Sequence, residues 1–571
     1  MKRYPGRDKA AVERLTFEVA PGEICVLIGP SGCGKTTALK MVNRLISISD
    51  GDITINGESV RSLELTQLRR SIGYVFQQIG LFPHMTVEHN IGSVPRLLGW
   101  QKARIRERAS ELLELVGLDP EGDLKRYPGE FSGGQQQRIG VARAMAADPE
   151  IMLMDEPFGA IDPIARDRLH NDFLRLHRQV RKTVIFVTHD IDEALKMGDK
   201  IAIMRDGRLV QLASADHLLA SPADEFVARF VGEDRGLKRL RVRSISDLEL
   251  DPPISGDASV PSVLPDTSLH TALSSMLAEG VTEVNVANDG GKLLSSVRFD
   301  SIARLVAPRE RSSAAFGPAR SRTEHMSLAL GLAPAASGPV IPNFGGASNC
   351  LVNNHQFCMS WFTHNLNSVF KPALIQHIEL TAIAVGCGMV IAFSAAIFAY
   401  KFHWFDTPFS LLSAFLYTIP SLALFELLVQ VTGINKFTAE IGLVSYTLLI
   451  LFRNTLTGLQ GVPKPVIEAA QAMGYTPRQT LSRVEIPLAS PAIMAGVRIA
   501  TVTTISLATV AAYIGAGGLG TLIFDDIQSG FKTEFVAAGA MAIALAIVAD
   551  ILLVIVQRAI TPWSRRRLQT F

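Results

Sequence analysis

From Ile378 onward the chain carries apolar runs long enough to cross a bilayer, and this sets the first limit on its fold. A hydrocarbon core about 30 Å thick is spanned by ~20 apolar residues in a helix. Backbone groups cannot stay unpaired there, so each run must form a helix or join a closed barrel. Five runs qualify, roughly 378–400, 407–430, 438–459, 491–513 and 533–557, and they imply contact with membrane lipid. Up to about residue 305, by contrast, charges are frequent. A length of 571 residues predicts several domains, and 56 basic against 54 acidic residues give no bias toward nucleic acid.

The charged part opens with a phosphate-binding pattern. After the apolar stretch Ile24–Ile28 comes Gly29-Pro30-Ser31-Gly32-Cys33-Gly34-Lys35-Thr36-Thr37. Its glycines let successive backbone N–H groups turn toward a triphosphate at the start of a helix. Lys35 is expected to bridge the β- and γ-phosphates, and the Thr36 hydroxyl to ligate Mg2+. The apolar run Ile151-Met152-Leu153-Met154 ends in Asp155-Glu156, which places two carboxylates at the C-terminal edge of a strand, where α/β sheets bind ligands. Asp155 is expected to organise Mg2+ and Glu156 to polarise the attacking water, because phosphoryl transfer needs positioning and charge stabilisation. An acidic pair after a strand is by itself more often a helix cap; the phosphate loop upstream reverses that preference.

Phe131-Ser132-Gly133-Gly134-Gln135, just ahead of a helical stretch over 138–147, resembles the LSGGQ signature of ABC ATPases. Gln77 resembles that family's Q-loop, Asp162 its D-loop and His189 its switch histidine, and their order is the family's order. The resemblance implies a P-loop ATPase that uses ATP and Mg2+, with Gln77 touching the metal and Gln77, Glu156 and His189 around the attacking water. It also implies a homodimer closed head to tail, in which Ser132, Gly133, Gly134, Gln135 and Asp162 of one copy face the ATP held by the other. Tyr4 matches the aromatic residue that stacks on adenine, although the chain begins inside what should be the first strand. No apolar segment follows Met1-Lys2-Arg3, so no secretory signal is expected.

Between the third and fourth apolar runs stand Glu468-Ala469-Ala470 and Gly474, which resemble the EAA loop (461–490) of ABC importer permeases and predict two short helices hinged near Gly474. In that family the loop docks on the ATPase and transmits its closure. With the loop in the cytoplasm, Lys401, Lys464, Arg478, Arg483, Arg558 and Arg565 to Arg567 lie inside, and Lys371, Lys436 and Lys532 outside, in agreement with the positive-inside rule. Five crossings that end inside must begin outside, so a sixth, weak crossing is expected within 306–374, best placed over the Pro- and Gly-broken 326–347. Cys350 and Cys358 would then lie outside, where a disulfide persists; Cys25 and Cys33 face a reducing cytosol, and Cys387 is expected to pack. Glu426 and Asp550 are ionisable groups within the runs. Glu426 is expected to lie at the interface near the outer end of its helix or to line a path for a cationic head group, and Asp550 to be a helix-packing or interfacial partner.

Residues 268–305 read as helix, strand, turn, strand and helix, which resembles a single CBS motif. The segments around Gln376-His377, Tyr417 to Ala423, Arg453-Asn454-Thr455 and Ile514 to Gly520 resemble permeases of the glycine betaine, choline and proline family. The expected architecture is therefore multidomain: an α/β P-loop ABC ATPase over 1–235, a small α+β CBS-like segment over 236–305, a linker and extracytoplasmic lead-in over 306–373, and an all-α transmembrane domain of the type I importer permease kind over 374–571. The resemblance implies a multi-pass protein of the cytoplasmic membrane that takes a quaternary amine from an extracytoplasmic binding protein, which typically cages such a cation in aromatic faces. An importer of another small amine or amino acid is the second reading. A membrane-tethered ABC regulator is the third, disfavoured by the intact loop.

Overall fold

The computed structural model describes every residue except 7–8, 78–79, 160–162, 249–260, 289–292, 307–356, 530–531 and 565–571. Asp162, Cys350 and the weak crossing proposed over 326–347 therefore lie outside the described residues. The chain divides into two compact units, one made of Met1–Arg309, Val462–Leu488 and Pro562–Phe571, the other of Glu310–Gly461 and Ala489–Thr561.

The first unit is built on a six-stranded sheet. Its strands are β1 (Ile24–Ile28), β2 (Ile72–Val75), β3 (Ile151–Asp155), β4 (Thr183–Val187), β5 (Lys200–Arg205) and β6 (Arg208–Ala213), in spatial order β2-β3-β4-β1-β5-β6. All neighbours run parallel except the β5–β6 hairpin. Every residue of β1 is buried: Ile24, Val26 and Ile28 enter one apolar cluster while Cys25 and Leu27 enter another. That is why the strand reads as an unbroken apolar run; a parallel sheet is covered on both faces. Helix α1 (Lys35–Val42) leaves β1 through the glycine loop, and α2 (Gly133–Met145) starts at a Ser132 cap whose hydroxyl accepts from the Gln135 N–H.

A smaller module follows α3 (Arg235–Val242). It contains β7 (Ser262–Val263), α4 (Leu269–Glu279), β8 (Glu283–Ala287), β9 (Leu293–Arg298) and α5 (Phe299–Val306), with sheet order β9-β8-β7 and its own core around Leu240, Met276 and Val284. Asp216 joins it to the sheet domain by accepting from both Arg239 and Arg243.

In the second unit the long helices are α6 (Lys371–Lys401), α9 (Lys436–Gln460), α12 (Ile486–Ala511) and α13 (Lys532–Ile560), each within a span long and apolar enough to cross a bilayer. The second apolar run departs from expectation. It is two helices, α7 (Asp406–Thr418) and α8 (Ser421–Thr432), which are bent by 101° when the short turn before α7 is included. Pro420 lacks an N–H and pushes Ile419 out of helical geometry; Ile419 is extended, and the Tyr446 hydroxyl donates to its carbonyl. Among the described residues four helices are thus long and apolar enough to cross a bilayer, and the bent pair is a broken fifth span or a re-entrant loop.

Two segments singled out in the sequence meet here. Gln376 donates to the Ala516 carbonyl and accepts from the Gly518 N–H, while fully buried His377 contacts the Ile505 carbonyl at 3.0 Å. Gly517 has φ 84°, a left-handed backbone that favours glycine, and a Cβ there would displace the Gln376 amide from these bonds. Asp550 pairs with Arg498 at 2.8 and 3.0 Å, a partner not anticipated from the sequence. Glu426 is exposed on α8. Cys387, expected to pack, is also exposed, and Cys358 is disulfide-bonded.

Candidate functional site

Four adjacent strands deliver the candidate residues to one edge of the sheet. The glycine loop follows β1, Gln77 follows β2, Asp155 and Glu156 end β3, and His189 follows β4. The loop needs its glycines: Gly29, Gly32 and Gly34 have φ of 155°, 80° and 105°. A Cβ on Gly29 would sit 2.1 Å from the Met204 carbonyl and one on Gly34 2.3 Å from that of Ala11. Positions 29 and 34 therefore admit only glycine, and a glycine-rich turn that opens a helix in this way fits a polyphosphate. Pro30 and Ser31 lie exposed on the rim of this turn, with Cys33 buried beneath and Thr37 half-buried in the first turn of α1. Burial raises the Cys33 thiol, against the opposing pull of the Lys35 charge.

The Lys35 ammonium donates to the Gly29 carbonyl at 2.7 Å. Thr36 Oγ1 donates to Asp155 Oδ1 at 2.9 Å. Asp155 is only 4% exposed, and burial holds its carboxyl above the usual carboxylate range. One hydroxyl beside one buried carboxylate matches the few protein oxygens that Mg2+ takes while keeping its waters. Glu156 adopts a left-handed backbone, φ 44°, with its N–H on the Val187 carbonyl. Its Oε2 accepts from Gln77 Nε2 at 2.8 Å and lies 3.3 Å from His189 Nδ1. Ser132, Gly133 and Gln135 are exposed and Gly134 half-buried at the start of α2, and Tyr4 lies near the Lys2 ammonium.

The EAA loop belongs to the same compact unit as this site. It forms α10 (Lys464–Ala472) and α11 (Pro477–Thr480), with Gly474 at φ 78° between them. Ala469 and Ala470 are fully buried, and Val466, Met473 and Tyr475 join the apolar cluster that holds Leu27 and Tyr74. Small side chains at 469 and 470 let the loop backbone approach closely. Lys40 pairs with Glu468 at 2.6 Å, Asn43 Nδ2 donates to the Ala472 carbonyl, and Arg70 donates to that of Gly474. His84 Nε2 meets the Arg483 carbonyl at 2.8 Å. Lys40, Asn43, Arg70 and His84 carry no sequence motif; their only signal was nearness to the glycine loop and to Gln77.

A phosphate cradle and paired carboxylates on one sheet edge, a signature turn at the head of α2, an EAA loop on the end of α1 and long apolar helices on the same chain define an ATP-binding cassette joined to a permease-type domain. The family described as ABC transporter matches residues 12–159, and that described as binding-protein-dependent transport system inner membrane component matches 387–566. The osmoprotectant import ATP-binding protein OsmV of Salmonella typhimurium is 54% identical over 294 residues, 51% of this chain and 75% of its own length. The choline transport ATP-binding protein OpuBA of Bacillus subtilis is 49% identical, across 50% of this chain and 74% of its own length. The glycine betaine uptake system ATP-binding protein YehX of Escherichia coli is 43% identical, across 51% and 94% respectively. The chain belongs to the ABC transporter family, combines that ATPase with a permease domain in the inner membrane, and couples ATP hydrolysis to import.

Proposed function

We propose that two copies of this chain form an importer for a small quaternary-ammonium osmoprotectant handed over by an extracytoplasmic binding protein. The observation that carries the reading is the EAA loop seated beside the nucleotide site, with Ala469 and Ala470 buried and Glu468 on Lys40. The substrate class rests on the relatives' names, OsmV for osmoprotectants, OpuBA for choline and YehX for glycine betaine. Another small amine or an amino acid is the second reading.

In this reading ATP with Mg2+ supplies the phosphoryl bond whose hydrolysis drives the cycle. The Gly29 to Thr37 loop would bind the phosphates, Lys35 would neutralise their charge, and Thr36 with Asp155 and Gln77 would hold the metal. Glu156 orients and polarises the attacking water, and His189 and Gln77 fix the position of its carboxylate. Ser132 to Gln135 and Asp162 serve the partner copy's nucleotide, and Tyr4 stacks on adenine. Residues 236–305 are a single CBS-like module that acts as a spacer, a dimerisation element or a regulator.

The test is uptake of radiolabelled glycine betaine and choline into vesicles holding the full chain, with a secreted binding protein from the neighbouring reading frame. ATP-dependent uptake that Glu156→Gln abolishes is expected. Hydrolysis without uptake of either compound would overturn the substrate assignment.

A further inference from the structure

We infer that the segment after the last membrane-spanning helix is a second coupling element, which holds the ATPase through a contact between Trp563 and His84. Pro562–Ser564 forms a short turn, and it falls in the compact unit that contains the ATPase. The Trp563 ring meets the His84 ring edge-on, with centroids 5.9 Å apart and planes at 67°.

His84 is also one of the side chains that hold the EAA loop. Its Nε2 lies 2.8 Å from the Arg483 carbonyl, which only accepts, so Nε2 carries the proton. Nδ1 is shut off from solvent and has no hydrogen-bond partner among the described residues. The imidazole is therefore neutral and fixed in one tautomer, and burial lowers it to about 4. The Arg483 carbonyl belongs to a wide helical turn, Leu481–Glu485, that leads directly into α12. One ring thus touches the turn that leads into one membrane-spanning helix and the turn beyond the end of another.

The row continues inward. His84 lies 6.0 Å from Phe82, which meets Tyr475 of the EAA loop edge-on at 5.9 Å. Arg143 stands over Phe82 and donates to the Gly80 carbonyl at 2.6 Å. Arg143 is 2% exposed and sits on α2, whose first turn is the signature sequence. Tyr475, Phe82, His84 and Trp563 therefore form a continuous aromatic contact from the loop to the final turn, braced by the signature helix. A tryptophan just past a membrane-spanning helix ordinarily anchors in the lipid interface; here its ring is placed on the ATPase.

The inference rests on the importer reading, and the test separates the two. The full chain in lipid nanodiscs is compared with Trp563→Ala and Trp563→Phe by hydrogen exchange over 475–485 and by the ratio of glycine betaine uptake to ATP hydrolysed. Trp563→Ala should speed exchange across 481–485 at least fivefold and lower the uptake ratio at least fivefold, with basal hydrolysis within twofold of the parent; Trp563→Phe should restore both. His84→Ala should reproduce the exchange change. Unchanged exchange in Trp563→Ala would overturn the inference, whereas absent uptake in the parent chain would instead count against the substrate. If Trp563→Ala does not accumulate, Trp563→Leu carries the same comparison.

Discussion

Gln77 donates to the Glu156 carboxylate across 2.8 Å, and His189 stands 3.3 Å from the same oxygen. Three segments separated widely in sequence thus hold one carboxylate, because β2, β3 and β4 are neighbours in the sheet. Glu156→Gln keeps the shape and the Gln77 contact and removes the basic oxygen. ATP should remain bound while turnover falls by about 10²–10⁴-fold, the span of a lost acid–base group. Steady-state hydrolysis and nucleotide retention on the purified chain check this, and an unchanged rate would remove Glu156 from its role.

Gly474→Asp should uncouple the two activities. The residue sits at φ 78°, and a Cβ there would lie 2.8 Å from the Thr66 carbonyl and 2.9 Å from Arg70. Strain of about 1–3 kcal/mol is expected from the backbone alone, and the added carboxylate would face a carbonyl oxygen. Hydrolysis should persist and uptake should be lost. Wild-type uptake in this variant would show that the hinge is not needed.

The Lys40–Glu468 pair has side chains 21% and 48% exposed. An ion pair that wet contributes about 0.5 kcal/mol, so either reversal alone should leave folding intact. Lys40→Glu should reduce uptake by opposing Glu468 with a like charge, and combining it with Glu468→Lys should restore most of the loss. A double-mutant cycle on uptake rates measures the coupling; strictly additive losses would mean the pair does not act as one.

His84 predicts a pH dependence. Its own burial lowers the imidazole to about 4, and the Arg483 carbonyl pulls weakly the other way. Released from that carbonyl, the ring should titrate near its ordinary value of about 6.5. Above that pH neither state binds the proton and docking is at full strength; as pH falls from 6.5 toward 4, only the undocked state takes it up. Docking should therefore weaken about tenfold by pH 5.5, read as a fall in uptake per ATP. His84→Gln, which cannot titrate, should flatten that profile.

The nucleotide motifs were legible because each is contiguous: a loop, a strand end and a signature turn have their meaning within a few residues of Gly29, Asp155 or Ser132. The EAA helices were legible for the same reason, through Gly474 and the small pair Ala469-Ala470. Contacts between distant segments were not. Lys40 and Glu468 are 428 positions apart, and nothing local marks either as the other's partner. Length counting also joined α7 to α8, since a window of apolar residues is blind to the donor that Pro420 lacks. Arg498 was hidden by the same averaging, although a lone arginine among apolar neighbours asks for a carboxylate such as Asp550.

Helix α1 bears Lys35 of the glycine loop at its head and, through Lys40 and the capping Asn43, the permease loop near its tail. Eight residue steps at 1.5 Å make a strut about 12 Å long, too short to bend or to soak up displacement. Any shift of the loop around Lys35 must therefore arrive at Glu468 and Ala472 nearly undiminished. A lever of that kind has no slack to tune, so evolution or design would alter the stroke of this transporter through the seat at its far end.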